Sequence, residues 1–439
     1  MNAGELILDA DADTSITADT DDQIDIKIAG ADDFQFTANT FTAAASSVIA
    51  LDDGAVATPS LTTTGDLNTG VYFPAADTVG VTAGGVEQFR FGSNPINSER
   101  NILHNGAMTV AQRTTQTGMG AATAYGAIDR WALLQNTCAA RVSISQDTDV
   151  PADAGFGYSQ KIDCTTVDSS VAAGDLLVLL TKVEGQNIQH LLWGDSAAKT
   201  VTLSFWGKTD RSGGGTMSVS LQSAGTDYWA KSVALTSTWT KFTIVIPGSQ
   251  GTAPVNDTST ELHVAFALVA GTTFQQTAET WSTSSTYAVS GQTNLMDNTG
   301  TNVWLTGVQL EVGSIATDFA HEGYGTTLAK CQRYYWQQAF ANDKYIAAAY
   351  IVSTTVAAAA YAFPVTMRAV PTGGVSGTTL FEIDHAGTET QSSNMSVSGN
   401  TESTASIVMS VSSGLTLGQS GVMGGGTAGQ AVITFSAEL

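Results

Sequence analysis

Basic residues are scarce: 17 lysines and arginines stand against 40 aspartates and glutamates in 439 residues, a formal net charge of −23. A field of that sign repels phosphate backbones and anionic bilayers alike, so neither nucleic acid nor membrane insertion is expected. Cysteine is rarer still. Cys138, Cys164 and Cys331 are odd in number and lack metal-ligand spacing, which argues against a disulfide framework and for free thiols. No stretch approaches the roughly 20 apolar residues of a bilayer span, and no N-terminal run joins a basic start to an apolar core. The apolar run from Tyr345 to Phe363 is interrupted by Ser353, Thr354 and Thr355, and predicts two buried strands instead. A chain that folds in a reducing cytoplasm and leaves it only by lysis has this make-up; so has an ordinary cytoplasmic protein.

Catalytic signatures are also missing. There is no G-x-S-x-G elbow, no H-E-x-x-H, no paired C-x-x-C and no glycine-rich phosphate loop before a helix. His104, His190, His263, His321 and His385 are scattered without i, i+4 spacing. A glycosidase needs two carboxylates flanking a sugar bond, which 40 acidic residues permit without specifying. Asp9, Asp11, Asp13, Asp19, Asp21 and Asp22 suggest calcium, but an EF-hand loop requires glycine at its sixth position and glutamate at its twelfth, and neither follows. Solvated strand faces are the expected reading, with no metal, no cofactor and no enzymatic activity.

What is present is a β texture rich in Gly, Thr, Ser, Ala and Val. The length suits two to four domains, and 43% hydrophobic residues suffice for a core in each. Residues 1–98 carry short strands: Ile24, Ile26 and Ile28 alternate with Asp25 and Lys27, and Val79 and Val81 precede a Gly84-Gly85 turn before Phe89 and Phe91. Too few apolar residues separate these turns to build a solid core, which three copies about a shared axis would supply. Residues 99–324 hold longer strands. Val201, Leu203 and Phe205 share a face, Gly213 to Gly215 turn, Met217, Val219 and Leu221 share another, and Trp239, Phe242, Ile244 and Ile246 form a strand that stops at Pro247. Val303 and Leu305 share one face and Val308, Leu310 and Val312 a face in the opposite phase, so Gly307 marks a bulge.

Residues 325–338 predict a linking helix, with Leu328, Cys331 and Tyr335 at helical spacing and Thr326 or Thr327 as its cap. Residues 339–439 predict a small β-sandwich with strands around Ile346–Val352, Val356–Phe363, Gly373–Ile383, Met395–Ser398, Ile407–Val411 and Val432–Phe435, and a surface loop at Gly424 to Gly426. The fold class is all-β: a hairpin region, a jelly-roll-like sandwich, a short helix and a β tip, in an elongated multidomain fibre.

Several segments carry a family likeness. NILHNGAMTVAQR and AIDRW open the middle region, and VWLTGVQLEVGSIATDFAHEGYGTTLAKCQRYYWQQ closes it; together with the strands between, they resemble bacteriophage tail-fibre proteins bearing a galactose-binding-like carbohydrate module. ITADTDDQIDIKIAGADDFQFTANTF and GDLNTGVYFPAADTVGVTAGGVEQFRF resemble fibre shaft and attachment segments, and FPVTMRAVPT, GLTLGQSGVM and VITFSAEL resemble a fibre tip. Relatives commonly carry a proline near Asp318 to His321, which this chain lacks. The resemblance implies a homotrimeric virion protein of the tail, assembled in the host cytoplasm, joined to other phage tail proteins by its N-terminal region and binding host surface polysaccharide. A spacer or capsid decoration without a receptor is one alternative, and a glycan depolymerase spike is another. The absence of a rung-like repeat disfavours the spike.

Sugars stack their C–H faces on aromatic rings, which makes aromatics the candidate contacts. Tyr228 and Trp229 are adjacent, so one of them is expected outside; Trp281 and Tyr287 lie in a Ser/Thr-rich loop. Trp131, Trp206, Trp239 and Trp304 stand in strand-like runs and are expected in packing.

Overall fold

The computed structural model describes every residue except 1–4, 19, 21, 45–46, 92–99, 341–343, 378 and 427–430. It is all-β and dominated by antiparallel sheets, with one α-helix among the described residues. Two compact units divide it, Met1–Ile96 and Asn97–Leu439.

The first unit holds two single-layer meanders, one running from Leu6–Ile7 to Thr40–Ala43 and one from Leu61–Thr63 to Val86–Phe91. Ile24–Ile28 is a strand, as its alternation predicts, and Gly84 and Gly85 turn between paired Ala83 and Val86 at φ of 61° and 74°. A single layer leaves side chains uncovered. Leu61, Val86 and Phe89 are more than half exposed, Phe36 stacks on Phe41 at 4.7 Å in the open, and Tyr72 is the one buried large hydrophobic among this unit's described residues. The carboxylates of Asp9, Asp11 and Asp13 gather within 4.8 Å of one another, while Asp22 is exposed and Asp19 and Asp21 lie outside the described residues.

The second unit begins with the sandwich. Its front sheet runs Gln116–Met119, Arg141–Asp147, Ser159–Thr166, Asn302–Val312, Val201–Thr209, Thr240–Ile246; its back sheet runs Ala124–Tyr125, Trp131–Asn136, Leu176–Glu184, Thr260–Ala270, Gly215–Ser223, Asp227–Leu235. Alternation sends Val201, Leu203, Phe205, Val303 and Leu305 from the front and Val219, Leu221, Val264 and Phe266 from the back into one shared core, where Trp131 is fully enclosed. At Gly307, φ is 62° and the register against Val201–Thr209 shifts, so the bulge expected from the phase change is present.

The helix is Tyr324–Gln332, and here the structure corrects the sequence reading. Gly323, in extended geometry, is the N-cap without a side-chain bond, while Thr327 sits inside the helix and donates to Glu322. Tyr335 does not continue the helix. Aromatic Tyr335 and Trp336 open the strand Tyr335–Phe340, which pairs with Ala431–Ser436.

Beyond it, a three-stranded sheet and a seven-stranded sheet enclose Trp336, Phe340, Phe381, Ile407 and Phe435. The single strand expected at Gly373–Ile383 is two, Thr372–Ser376 and Phe381–His385, with Gly377 at φ 64° breaking the ladder between them. Gly424 and Gly425 are not in a surface loop: they form the buried end of the strand Ser420–Gly425, where a Cβ on Gly424 would stand 3.0 Å from the Lys344 carbonyl. The last residues return to the sandwich. Arg113 and Arg130 both pair with Glu438, and Tyr125 and Lys182 donate to the Leu439 carbonyl at 2.8 and 2.6 Å.

Candidate functional site

Of the four aromatics singled out in the sequence, the structure buries three. Tyr228 and Trp229 do point to opposite faces of their strand, but neither is exposed: Trp229 enters the core at 1% exposure, and the segment from Thr272 to Val289 folds over Tyr228. Tyr287 lies under that same segment, edge-on to Tyr228 at 5.7 Å and 7% exposed, and burial pushes its hydroxyl up to about 12. The expectation of exposed rings at Tyr228 or Trp229 and at Tyr287 is thus corrected: a polar segment gave the loop but not the surface it covers. Trp281 is half-buried and lines a cleft of about 450 Å³ with Asp227, Pro247 to Gly251 and Ser282. Its indole N–H donates to the Pro247 carbonyl at 2.9 Å, and its ring meets Trp193 edge-on at 5.6 Å. The four do not converge on one site.

A different aromatic group does converge, on the outward face of the front sheet. Because Phe205 and the Val303/Leu305 pair face the core, their neighbours Trp206, Lys208 and Trp304 face out. The register aligns Lys161 with Trp304 and Trp304 with Lys208 across three strands. Trp239, just before Thr240–Ile246, completes the row: Lys208 Nζ lies 4.6 Å from the Trp304 ring centroid and 5.2 Å from that of Trp239, while Lys161 Nζ lies 5.6 Å from Trp304. Trp206 stands one position along, opposite Lys241.

Two carboxylates fix the ring edges. Trp304 Nε1 donates to Asp147 at 3.2 Å and Trp239 Nε1 to Asp149 at 3.0 Å; Asp149 also pairs with Lys208. Burial raises the Asp149 carboxyl, but the bonds from Lys208 and Trp239 outweigh it and hold the group below its ordinary range. The bulge matters locally, since a Cβ on Gly307 would come within 2.5 Å of Phe156 and 3.1 Å of Trp206. Phe156, Phe319 and His321 pack together at 4.9 to 5.2 Å, and the backbone of Ala320 and Thr317 bonds to Gln309 and Glu311, closing that end of the face. Trp206, Trp239, Lys161 and Lys208 remain partly exposed beyond it; Trp304 is 8% exposed under the lysine stems.

Trp239 and Trp304 are two strands apart, roughly 10 Å at ordinary strand spacing. Rings held by hydrogen bonds lose little entropy on binding, and flanking ammonium and carboxylate groups supply donors and acceptors for a polyhydroxylated ligand. The signal for this face was in the sequence. An alternation that turns Val303 and Leu305 inward turns Trp304 to the other face; the expectation of packing holds for Trp131 and for Trp304, which is buried beneath the lysines, and is corrected for Trp206 and Trp239, which are partly exposed.

The histidines offer no comparable group. His104 and His263 are held neutral, burial lowering each to about 3, and His321 is part of the aromatic plug. All three cysteines are buried and unpaired.

No protein-family model and no curated protein matches the chain. Among solved structures it is similar to the enzymatically active domain of tailspike protein 4 of bacteriophage CBA120, at 12% identity and TM-score 0.27, covering 50% of this chain and 22% of that one. It is also similar to a CBM4 structure, at 17% identity and TM-score 0.27, over 48% of this chain and 98% of that one. A third is TmCBM61 in complex with β-1,4-galactotriose, at 11% identity and TM-score 0.26, over 49% and 99%.

Proposed function

We propose that this chain is a bacteriophage tail-fibre protein that binds host-surface saccharide, without cleaving it, through the Trp206, Trp239 and Trp304 face of its front sheet. The observation that carries the binding reading is the clamped pair: Trp239 and Trp304 flank Lys208 on an outward face, each indole anchored to a carboxylate. Trp206 and Trp239 are partly exposed and offer ring surface that suits the C–H faces of pyranose rings, while Trp304, buried beneath Lys161 and Lys208, holds those lysines in place. The tail-fibre reading rests on the resemblance of residues 101–113 and 303–338 to such fibres. Three copies would assemble through the first unit, which also docks to other tail proteins, and weak single sites would add up across subunits.

The test is binding of purified protein to host cells and to a glycan array. Trp206→Ala and Trp239→Ala, which truncate partly exposed rings, should each weaken binding about tenfold or more while secondary structure and melting behaviour are kept. Wild-type binding by both variants would remove the site from this face, with the Trp281 cleft as the next place to look. Release of reducing ends from a bound glycan would replace the adhesin with a depolymerase. Binding to no cell and no glycan would favour a spacer.

A further inference from the structure

We infer that the saccharide taken by this face is acidic, its carboxylate or sulfate group received by Lys161 and Lys241; the inference rests on the binding reading above. The chain carries few cations, 17 against 40 acidic residues, yet Lys161, Lys208 and Lys241 share the outward face of four neighbouring strands. The carboxylates of Asp147, Asp149 and Asp163 share this face, and the two beside the rings are already engaged. Asp147 accepts from the Trp304 indole, and Asp149 accepts from the Trp239 indole and pairs with Lys208. Lys208 is therefore neutralised, whereas Lys161 and Lys241 have no ion-pair partner among the described residues; Lys161 Nζ lies over the Trp304 ring, near enough for its charge to favour the Asp149 carboxylate, and Lys241 is exposed opposite Trp206.

Two unpaired ammonium groups thus bracket the rings on either side of Lys208. A neutral saccharide would use the rings and leave both cations without an anionic partner. An anionic one would use all of them, since a charge-assisted bond from lysine to carboxylate or sulfate is stronger than one to a hydroxyl. The chain's overall negative charge does not prevent this. Exposed charges farther away than about 8 Å are largely screened at physiological salt, so the local pair governs contact. The overall charge instead disfavours adhesion to anionic surfaces that lack the ring-stacking saccharide, which leaves recognition to rings and cations acting together.

The experiment uses the full chain and a panel of uronate-bearing and sulfated polysaccharides, each beside its carboxyl-reduced or desulfated counterpart. Acidic members should bind more tightly than their neutral counterparts. Lys161→Gln and Lys241→Gln should each weaken acidic binding about two- to fivefold, and together about tenfold, with binding of the neutral counterparts unchanged. Lys231→Gln, in the back sheet and paired with Glu279, is the control and should change nothing. Tighter binding of uronate-bearing than of sulfated members, or the reverse, identifies which anion the lysines receive. Equal binding of acidic and neutral forms, or lysine variants that bind the acidic form as wild type does, overturns the inference and leaves saccharide binding standing. Binding of no member in either form overturns both.

Discussion

The guanidinium of Arg130 lies 3.4 Å from the ring centroid of Tyr334, joining the start of a sandwich strand to the turn that follows the helix. Arg130 is 1% exposed, donates to the Lys182 carbonyl at 2.7 Å and pairs with Glu438; Tyr334 donates at 2.5 Å to Glu184, which also receives Arg333 at 2.9 Å. Stacking over the ring offsets part of the cost of enclosing the cation, and Glu438 supplies the counter-charge.

Removing that counter-charge should therefore be expensive. Glu438→Gln leaves a fully enclosed guanidinium without its carboxylate and should cost about 3–5 kcal/mol in a urea titration. Glu279→Gln, which breaks the exposed pair with Lys231, should cost no more than about 1 kcal/mol. Similar losses at both sites would show that the junction contributes no more than a surface pair.

Acid should weaken the second unit. His104 is held to about 3 by burial, with the positive field of Arg130 adding to it, and His263 to about 3 by burial and then Lys182. Both are neutral when folded and take a proton near 6.5 when unfolded, so the unfolded state binds more protons between those values. Stability is then full above about pH 6.5 and falls toward pH 3, by at most about 1.4 kcal/mol per pH unit for each histidine. Asp129 opposes them: burial raises it to about 6, so the folded state takes its proton first and gains stability as pH falls from there toward 4. Glu184, which the bonds from Arg333 and Tyr334 hold low against burial, adds to the loss below about pH 4.5. His263→Asn should flatten the decline between pH 6 and 4, measured as the urea midpoint against pH. A slope equal to that of the wild type would show that His263 titrates freely in the fold.

Strand positions were largely legible because period-two alternation is a local property. Val201, Leu203 and Phe205 named their own face, and the phase change around Gly307 named the bulge. What alternation does not state is what lies over the far side of a sheet. Tyr228 is on the outer face as its position implies, yet a segment some fifty residues later, carrying Tyr287, closes over it. The reverse error occurred at Trp206 and Trp239, where large aromatic rings in strands suggested a core and the phase of their neighbours indicated solvent. Partner choice was equally hidden at Tyr335: only Ala431–Ser436, far along the chain, makes that segment a strand.

The first unit yields the last prediction. Its described residues bury a single large hydrophobic side chain, Tyr72, while Leu6, Ile24, Phe41, Leu61, Val86 and Phe89 are each between 46% and 65% exposed. Two single-layer meanders with apolar residues on their faces cannot repay the entropy of ordering on their own, and another surface must cover them. Identical copies supply one at no cost in partner matching, and three sheets about an axis enclose a core that one layer cannot. Light scattering of the full chain should give the mass of three subunits. Phe89→Asp, together with Leu61→Asp, should shift that mass toward one subunit while the sandwich keeps its melting transition, because neither side chain belongs to the second unit's core. A wild-type chain that runs as a folded monomer at micromolar concentration would mean that these faces are covered by a different protein or left bare.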